Sequence, residues 1–287
     1  MMDGPERCHF DMDGLRYAGL AWGPEGGVPV LALHGWMDHA ESFATLAPLL
    51  AGCRVVALDL SGQGLSGHRA AHASYNIWDD LPQLVGVLDA LGWERAVLMG
   101  HSRGANIAGL LAAAVPERVR GLIALDSLAP EPVEADFITT LGAYVRDTRR
   151  ALERPARRFA SVEAYAARRR AQGNSGVVAA ALAGRALVAD GDGYVLQADN
   201  RMFASSAVKM TAADVEAMLR AIRCPVLNIW ATQGIRQRPK LGALVAIAEA
   251  VIADYSVAEV AGDHHFHMEA AAAGQIAEAV LRFVARL

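Results

Sequence analysis

Three segments of the chain carry residue types that together could perform nucleophilic catalysis. A Gly-x-Ser-x-Gly pentapeptide at residues 100–104 has Ser102 at its centre, residues 264–267 contain three histidines, and Asp126 ends an apolar run. A serine hydroxyl is a weak nucleophile at neutral pH unless a histidine accepts its proton, and a carboxylate can orient that histidine. These residue types predict a serine nucleophile with a histidine base and a carboxylate partner.

The surroundings of Ser102 make the pentapeptide more specific than its composition alone. An apolar run at residues 96–99 precedes it, and a helical pattern at residues 106–115 follows and stops at Pro116. Glycines on both sides of the serine permit a sharp strand-to-helix turn, which would expose the hydroxyl above the carboxyl ends of the strands. The alternative is a glycine-rich turn whose serine merely caps a helix.

A second glycine motif could stabilise negative charge on a reacting carbonyl group. The tripeptide His-Gly-Trp at residues 34–36 follows the apolar run Val28–Leu33. We predict that the backbone N–H groups of Trp36 and Arg103 form an oxyanion hole, whose fixed donors stabilise the charge that develops during reaction. The alternative is a tight glycine turn followed by a core tryptophan.

Three histidines compete for the role of general base. We predict His264, which directly follows a Gly-Asp turn after the last apolar run, with His265 and His267 as the alternatives. A zinc site is the other interpretation. However, the cluster has no pair of histidines spaced i, i+4, and neither a cysteine nor a second histidine cluster completes four ligands. We therefore predict no metal ion.

The carboxylate partner of the histidine must come from one of the loops at the strand ends. The five residues 231–235, which follow an apolar run at residues 225–230, contain no carboxylate. Asp126 ends the preceding apolar run, so we predict that Asp126 orients His264. The alternatives are that Asp126 caps a helix and that Asp38 or a residue of the inserted segment supplies the acid.

The remaining pattern supplies the elements that would position these residues. Short apolar runs alternate with helical patterns before residue 130 and after residue 220, which predicts an α/β protein with a mostly parallel sheet and helices on both faces. Residues 130–220 have helical character and no convincing central strand. We predict that residues 1–129 and 221–287 form the core and that residues 130–220 are inserted as a helical cap.

Arginines crowd the first half of this insertion. They are Arg146, Arg149, Arg150, Arg154, Arg157, Arg158, Arg168, Arg169 and Arg170. A solvated helix face is the usual role of such a run, and recognition of an acidic substrate or partner is the alternative.

The composition argues against several other classes of protein. The 287 residues carry a net charge of −4, unlike the basic excess of general nucleic-acid-binding proteins. The three cysteines have no C-x-x-C spacing, which fits a reducing compartment. Residues 1–7 show no signal-peptide pattern, and polar residues interrupt the alanine-rich segment 270–287. We therefore expect a cytoplasmic protein without a membrane span.

With these residues in place, the chain resembles the serine hydrolase-like family of α/β hydrolases. The segments that carry the resemblance are Leu33-His34-Gly35-Trp36-Met37-Asp38, Asp59-Leu60-Ser61-Gly62-Gln63-Gly64-Leu65-Ser66, Leu88-Asp89-Ala90-Leu91-Gly92-Trp93, Gly100-His101-Ser102-Arg103-Gly104, Leu125-Asp126-Ser127-Leu128 and the segment around His264. The similarity covers residues 28–130 and leaves the insertion uncovered. It implies the α/β-hydrolase fold. The acid of that fold usually follows the strand at residues 225–230, but some members place it where Asp126 stands.

The chain departs from the family pattern at two positions. The family commonly reads Pro-Gly-His-Gly where this chain has Ser61-Gly62-Gln63-Gly64, and it commonly has methionine where this chain has Arg103. We expect the first change to be structurally harmless. The second puts a long cation beside the predicted oxyanion hole and could bias substrate choice.

The predicted chemistry is hydrolysis of a small-molecule carboxylic ester with a small to medium acyl group. Ser102 would attack the acyl carbon, His264 would accept and return the proton, and Asp126 would orient His264 until water releases the acyl-enzyme. This mechanism needs no cofactor. Thioesters, lactones and C–C bonds are alternative substrates for the same residues. A non-catalytic binding protein of the same fold is the alternative from another class, favoured by the missing carboxylate in residues 231–235.

Overall fold

A large sheet and a small sheet contain all the strands of residues 4–287, which are the residues that the computed structural model describes. The strands are β1 (Glu6–Met12), β2 (Leu15–Trp22), β3 (Val28–Leu33), β4 (Cys53–Leu58), β5 (Ala96–His101), β6 (Val119–Leu125), β7 (Arg158–Phe159), β8 (Leu187–Asp190), β9 (Gly193–Leu196), β10 (Val226–Ala231) and β11 (Tyr255–Val260). The large sheet has the order β1-β2-β4-β3-β5-β6-β10-β11. β1 pairs antiparallel with β2 and β2 with β4, whereas the other neighbours are parallel. The predicted mostly parallel sheet is confirmed.

Helices pack on both faces of the large sheet, as predicted. The α-helices of residues 4–287 are α1 (Leu81–Ala90), α2 (Arg103–Ala114), α3 (Phe137–Glu153), α4 (Val162–Ala171), α5 (Gly176–Ala181), α6 (Ala212–Ala221), α7 (Pro239–Val251) and α8 (Ala270–Val284). Side chains of α1, α2, α6 and α7 form the apolar layer on one face, and those of α8 form the layer on the other. β3 shows why its sequence is apolar throughout, because Leu31 and Leu33 enter the first layer while Val30 and Ala32 enter the second.

The insertion between β6 and β10 differs from the predicted helical cap in two respects. It is not wholly helical, since β7, β9 and β8 form a small antiparallel sheet beside α3, α4 and α5. These strands have only two to four residues, too few for an alternating pattern to stand out. In addition, α6 packs its buried residues Val215, Met218 and Leu219 into the core layer that contains α2 and α7. We therefore propose that the cap ends before α6 and that the core resumes near residue 212.

Two sequence expectations concern the ends of the chain. The expectation about residues 1–7 falls partly on residues 1–3, which lie outside the described residues. Among the helices of residues 4–287, none has the length and apolar character needed to cross a membrane.

Candidate active site

Ser102 lies on the sharp turn between β5 and α2. Its backbone angles are φ 51° and ψ −116°, a strained conformation for a residue with a side chain. A Cβ atom at Gly104 would lie 2.0 Å from the carbonyl oxygen of Leu33, and one at Gly100 would lie 2.4 Å from the Cα atom of Ala105. The two glycines of the pentapeptide therefore allow α2 to begin against β3 and β5 while the turn presents the serine.

His264 links Ser102 to Asp126. Its Nε2 atom lies 2.9 Å from Ser102 Oγ, and its Nδ1 atom lies 2.6 Å from Asp126 Oδ2. Because an ionised carboxylate can only accept, Nδ1 carries the proton and Nε2 is free to accept from the serine hydroxyl. The structure thus brings together the three residues that the sequence analysis selected, although they come from the ends of β5 and β6 and from the loop after β11.

Asp126 is fully buried at the carboxyl end of β6, with φ 47°. Its carboxylate accepts hydrogen bonds from the backbone N–H groups of Ala231 (3.1 Å), which ends β10, and of Ile235 (3.0 Å) in the loop that follows. A Cβ atom at Gly234 would lie 2.2 Å from Asp126 Oδ1. Residues 231–235, which contain no carboxylate of their own, therefore bind the carboxylate of Asp126 through backbone N–H groups. Since Ile235 opens a short 3₁₀ turn, the side chain caps this turn as well as contacting His264.

The two alternative histidines have other surroundings. The ring of His267 is fully buried 5.5 Å from that of Phe43, and neither of its nitrogens has a hydrogen-bond partner among residues 4–287. Burial holds the pKa of His267 well below its usual range. The Nε2 atom of His265 lies 3.4 Å from Asp38 Oδ2. Of the three histidines, His264 is the one that contacts Ser102.

The loop after β3 places Trp36 beside Ser102. The backbone N–H of Met37, which has φ 61°, donates to the side-chain carbonyl of Gln63 at 2.7 Å. The glutamine that departs from the family pattern therefore fixes this loop, a role that the sequence did not indicate. The indole N–H of Trp36 donates to the carbonyl oxygen of Met202 (3.3 Å), and its ring meets Phe203 edge to face. Trp36 thus joins the core to the insertion.

The side chain of Arg103 is tethered beside the turn. Its guanidinium donates to the carbonyl oxygen of Tyr75 at 3.0 Å, and burial lowers its pKa. The sequence analysis expected a long cation beside the predicted oxyanion hole that could bias substrate choice, and the contact with Tyr75 limits how far this guanidinium can follow a substrate.

A cavity of about 270 Å³ opens beside Ser102. Trp36 and Arg103 line it together with both apolar and polar side chains. These are Ile77, Asn106, Ser127, Ala129, Glu131, Ile235, Arg238 and Leu241. The cavity is large enough for a small organic group, and its lining combines apolar, polar and charged side chains.

Behind His264 lies a buried polar cluster that the sequence analysis did not assemble. His101 is fully buried, and its Nε2 atom lies 2.8 Å from the carbonyl oxygen of His264. Burial lowers the pKa of His101 to about 4. Its other nitrogen faces Asp38, which the sequence analysis considered only as an alternative acid. Asp38 and His101 meet because β3 and β5 are neighbours in the sheet, which residue spacing along the chain does not reveal.

Comparison with known proteins agrees with this arrangement. The family model described as alpha/beta hydrolase fold matches residues 28–271. A serine hydrolase-like protein of Dictyostelium discoideum is 33% identical over 271 residues, which cover 89% of this chain and 75% of that protein. A serine hydrolase-like protein of Danio rerio is 40% identical over 131 residues, covering 45% of this chain and 40% of that protein.

A solved structure extends the similarity over almost the whole chain. The crystal structure of a hypothetical protein from Pseudomonas aeruginosa PAO1 is 35% identical, with a TM-score of 0.92 over 98% of this chain and 99% of that one. These similarities agree with the sheet order and with the resemblance seen in the sequence. The chain therefore belongs to the α/β-hydrolase fold family, as a relative of the serine hydrolase-like proteins.

Proposed function

We propose that this hydrolase-family protein cleaves carboxylic esters with small to medium acyl groups through an acyl-enzyme on Ser102. The observation that carries the proposal is the pair of hydrogen bonds that connects Ser102 to His264 and His264 to Asp126. As Oγ attacks the acyl carbon, the imidazole takes its proton, and the buried carboxylate stabilises the imidazolium that forms. His264 then returns the proton to the leaving alcohol, and water releases the acyl group by the reverse route.

The oxyanion of each tetrahedral intermediate would be held by the backbone N–H groups of Trp36 and Arg103. Arg103 is the first residue of α2, so its amide points out of the helix and has no partner in the preceding turn. The Met37–Gln63 hydrogen bond fixes the neighbouring loop before substrate arrives. Donors that are already in place stabilise developing charge without reorganising.

The size of the cavity supports the proposed range of substrates. Its volume of about 270 Å³ is near the lower end of the range of ligand pockets, which runs from roughly 300 to 1,000 Å³. A short acyl chain fits such a space, whereas a long fatty acyl chain would extend beyond it. Thioesters and lactones of similar size would meet the same groups and belong in the same substrate screen.

A non-catalytic binding protein is the second candidate. The observation that favours it is the absence of a carboxylate from residues 231–235. The hydrogen bond between Asp126 and His264 weakens this argument, because Asp126 occupies the position from which a carboxylate can orient the imidazole.

A fluorophosphonate probe separates the two candidates. We expect the probe to label the wild-type chain covalently, with peptide mass spectrometry locating the adduct on Ser102. Ser102→Ala is the matched control, which should neither be labelled nor hydrolyse p-nitrophenyl esters. Activity of Ser102→Ala within about tenfold of wild type would contradict the proposed mechanism.

A substrate series tests the proposed acyl range. Esters from p-nitrophenyl acetate to the octanoate should show kcat/KM declining toward the longer chains, with thioesters and lactones assayed in parallel. Labelling of Ser102 without turnover of any ester would mean that the mechanism holds and the substrate class is wrong. Absence of both labelling and turnover would favour the binding protein.

The cysteines bear on where such a hydrolase would act. Cys8, Cys53 and Cys224 are free thiols, which supports the proposal of a cytoplasmic, reducing environment. Fractionation of the source cells with an antibody against the chain would test this location.

A further inference from the structure

Three side chains that the proposed mechanism does not use converge behind His264. Asp38 follows β3, His101 ends β5 and His265 follows β11. Asp38 Oδ2 lies 3.6 Å from His101 Nδ1 and 3.4 Å from His265 Nε2, and the three atoms lie within 4.8 Å of one another. We call these three residues the Asp38 cluster.

The hydrogen bond of His101 determines which of its nitrogens carries a proton. Nε2 lies 2.8 Å from the carbonyl oxygen of His264, which can only accept, so Nε2 must donate. In the neutral imidazole, Nδ1 then presents a lone pair toward Asp38 Oδ2. Their separation of 3.6 Å is longer than a hydrogen bond, and neither atom has a partner within residues 4–287. Two buried acceptors therefore face each other, an arrangement that a bound cation would stabilise.

The backbone of Gly35 packs closely against these two acceptors. A Cβ atom at Gly35 would lie 2.8 Å from Asp38 Oδ2 and 2.9 Å from His101 Nδ1, so a side chain there would have to displace one of them. On the opposite side, Arg169 donates to Asp38 Oδ1 at 3.1 Å. This hydrogen bond fixes the carboxylate and leaves Oδ2 directed at the histidines, as partners outside the coordination shell do in metal sites.

We propose that Asp38 Oδ2, His101 Nδ1 and His265 Nε2 form a three-ligand site for a divalent transition-metal ion of the zinc type. Two imidazoles and one carboxylate are a donor set that suits Zn²⁺. Ligands at zinc distances and tetrahedral angles lie about 3.3 Å apart, close to the two separations measured from Asp38 Oδ2. The side chain of His265 is 15% exposed, which gives the ion an entry path and leaves the fourth position to water.

This site does not depend on the proposed function. The origin of its ligands in separate segments explains why the sequence analysis predicted no metal ion. The expectation of no metal rested on the spacing of histidines within residues 264–267 and on the lack of a second cluster. The proposed ligands come one each from three segments. Asp38 and His101 lie at the ends of the neighbouring strands β3 and β5, whereas His265 lies on the loop after β11, which β6 and β10 separate from β5 in the sheet. A spacing rule along the chain cannot find such a set.

Metal binding by the full-length chain tests the inference. After treatment with EDTA and dialysis, calorimetric titration with Zn²⁺ should show one equivalent bound per chain, and Co²⁺ should give the visible spectrum of a tetrahedral site. His265→Ala removes the most exposed ligand and should weaken Zn²⁺ binding by at least about tenfold, as should Asp38→Asn. His9→Ala, which removes an exposed histidine of β1, is the matched control and should bind as wild type does.

Several outcomes would overturn the proposal. One is wild-type protein that binds no Zn²⁺ or gives an octahedral Co²⁺ spectrum. Another is His265→Ala with undiminished affinity. Loss of binding in His264→Ala but not in His265→Ala would place the metal at the Ser102 site instead. Should Asp38→Asn fail to fold, His265→Ala at the most exposed ligand still decides, because the Co²⁺ spectrum alone reports the geometry of the ligands and not their identity.

Discussion

The carboxyl edge of the sheet and the insertion between β6 and β10 contribute opposite partners to the buried ion pairs that join them. The sheet edge contributes carboxylates, and Asp38, Asp59 and Asp126 are all buried. The insertion supplies arginines, two of which reach these carboxylates. Arg169 pairs with Asp38 at 3.1 Å and Arg185 pairs with Asp59 at 2.7 Å. Buried charges require such partners, so these two arginines attach the insertion to the core.

Other arginines of the insertion behave differently. Arg149, Arg150, Arg158 and Arg170 pair with carboxylates of the insertion itself, and their side chains are 42–70% exposed. Exposed pairs contribute only about 0–1 kcal/mol. The arginine-rich sequence thus contains two populations, and burial of the partner, not the number of arginines, separates those that stabilise the fold from those that face solvent. We therefore expect substitutions at the sheet edge to lower activity, and substitutions of the buried arginines of the insertion to lower the free energy of unfolding.

The largest effect expected at the sheet edge follows removal of the base. His264→Ala should lower kcat by about 10⁴-fold or more, because Ser102 then lacks a proton acceptor. His265→Ala and His267→Ala are the matched controls and should cost far less, since neither ring contacts Ser102. Steady-state hydrolysis of p-nitrophenyl acetate measures all three variants. If His265→Ala were the inactive one, the base would be misassigned by one residue.

A smaller loss of activity is expected from Asp126→Asn. The amide can hold the imidazole in the wrong tautomer and cannot stabilise its cation, so turnover should fall by about 10²–10⁴-fold. The amide oxygen of the asparagine can still accept from one of the two backbone N–H groups that reach this side chain, so we expect the variant to fold with reduced stability, which thermal unfolding would measure. Turnover near that of wild type would exclude Asp126 as the orienting acid.

In the insertion, the expected effect is on stability. Arg185→Met should reduce the free energy of unfolding by about 3–5 kcal/mol, because it leaves Asp59 buried with a charge that has lost its ion pair. Arg149→Met, at an exposed pair, is the matched control and should change it by less than about 1 kcal/mol. Urea titrations of both variants provide the measurement. Equal effects would contradict the division of the arginines by burial.

The smallest effect concerns the dependence of stability on pH. Burial lowers the pKa of His39 from its ordinary 6.5 to about 4, so the folded protein favours the neutral ring. Its contribution to stability is complete above pH 6.5 and declines as the pH falls toward 4, by up to about 1.4 kcal/mol per pH unit. His39→Asn should flatten the fall in unfolding free energy between pH 6.5 and pH 5. An unchanged slope would show that His39 binds its proton equally in both states.

The strands that hold the site were predictable from sequence because burial on both faces makes them apolar throughout. The predicted bounds of β3 agree with the structure, and the run before Ser102 ends two residues before β5 does. Their order along the chain also places Ser102, Asp126 and His264 at strand ends. These features can be predicted because they depend on local sequence patterns and not on contacts between distant segments.

The features that the sequence did not predict depend on contacts between distant segments. The small sheet of the insertion pairs strands of two to four residues, which are too short to show a pattern of alternating burial. α6 lies in the core because its apolar side meets α2, over 100 residues earlier in the chain. The roles of Gln63 and Asp38 likewise rest on partners in other loops. No periodicity along the chain encodes such pairings.

The placement of Asp126 changes what the loop after β10 must provide. A loop that carries its own acid is constrained by a particular side chain, whereas this loop contributes two backbone N–H groups and the space left by Gly234. The loop must therefore keep its backbone shape, but it need not carry a particular functional group. Gln233 is exposed and free to vary in type, whereas Thr232 Oγ1 accepts a hydrogen bond from the backbone N–H of Gly262 at 3.3 Å, and any side chain at Gly234 would collide with the carboxylate. Protein engineers could thus diversify Gln233 without touching the groups proposed to perform the chemistry.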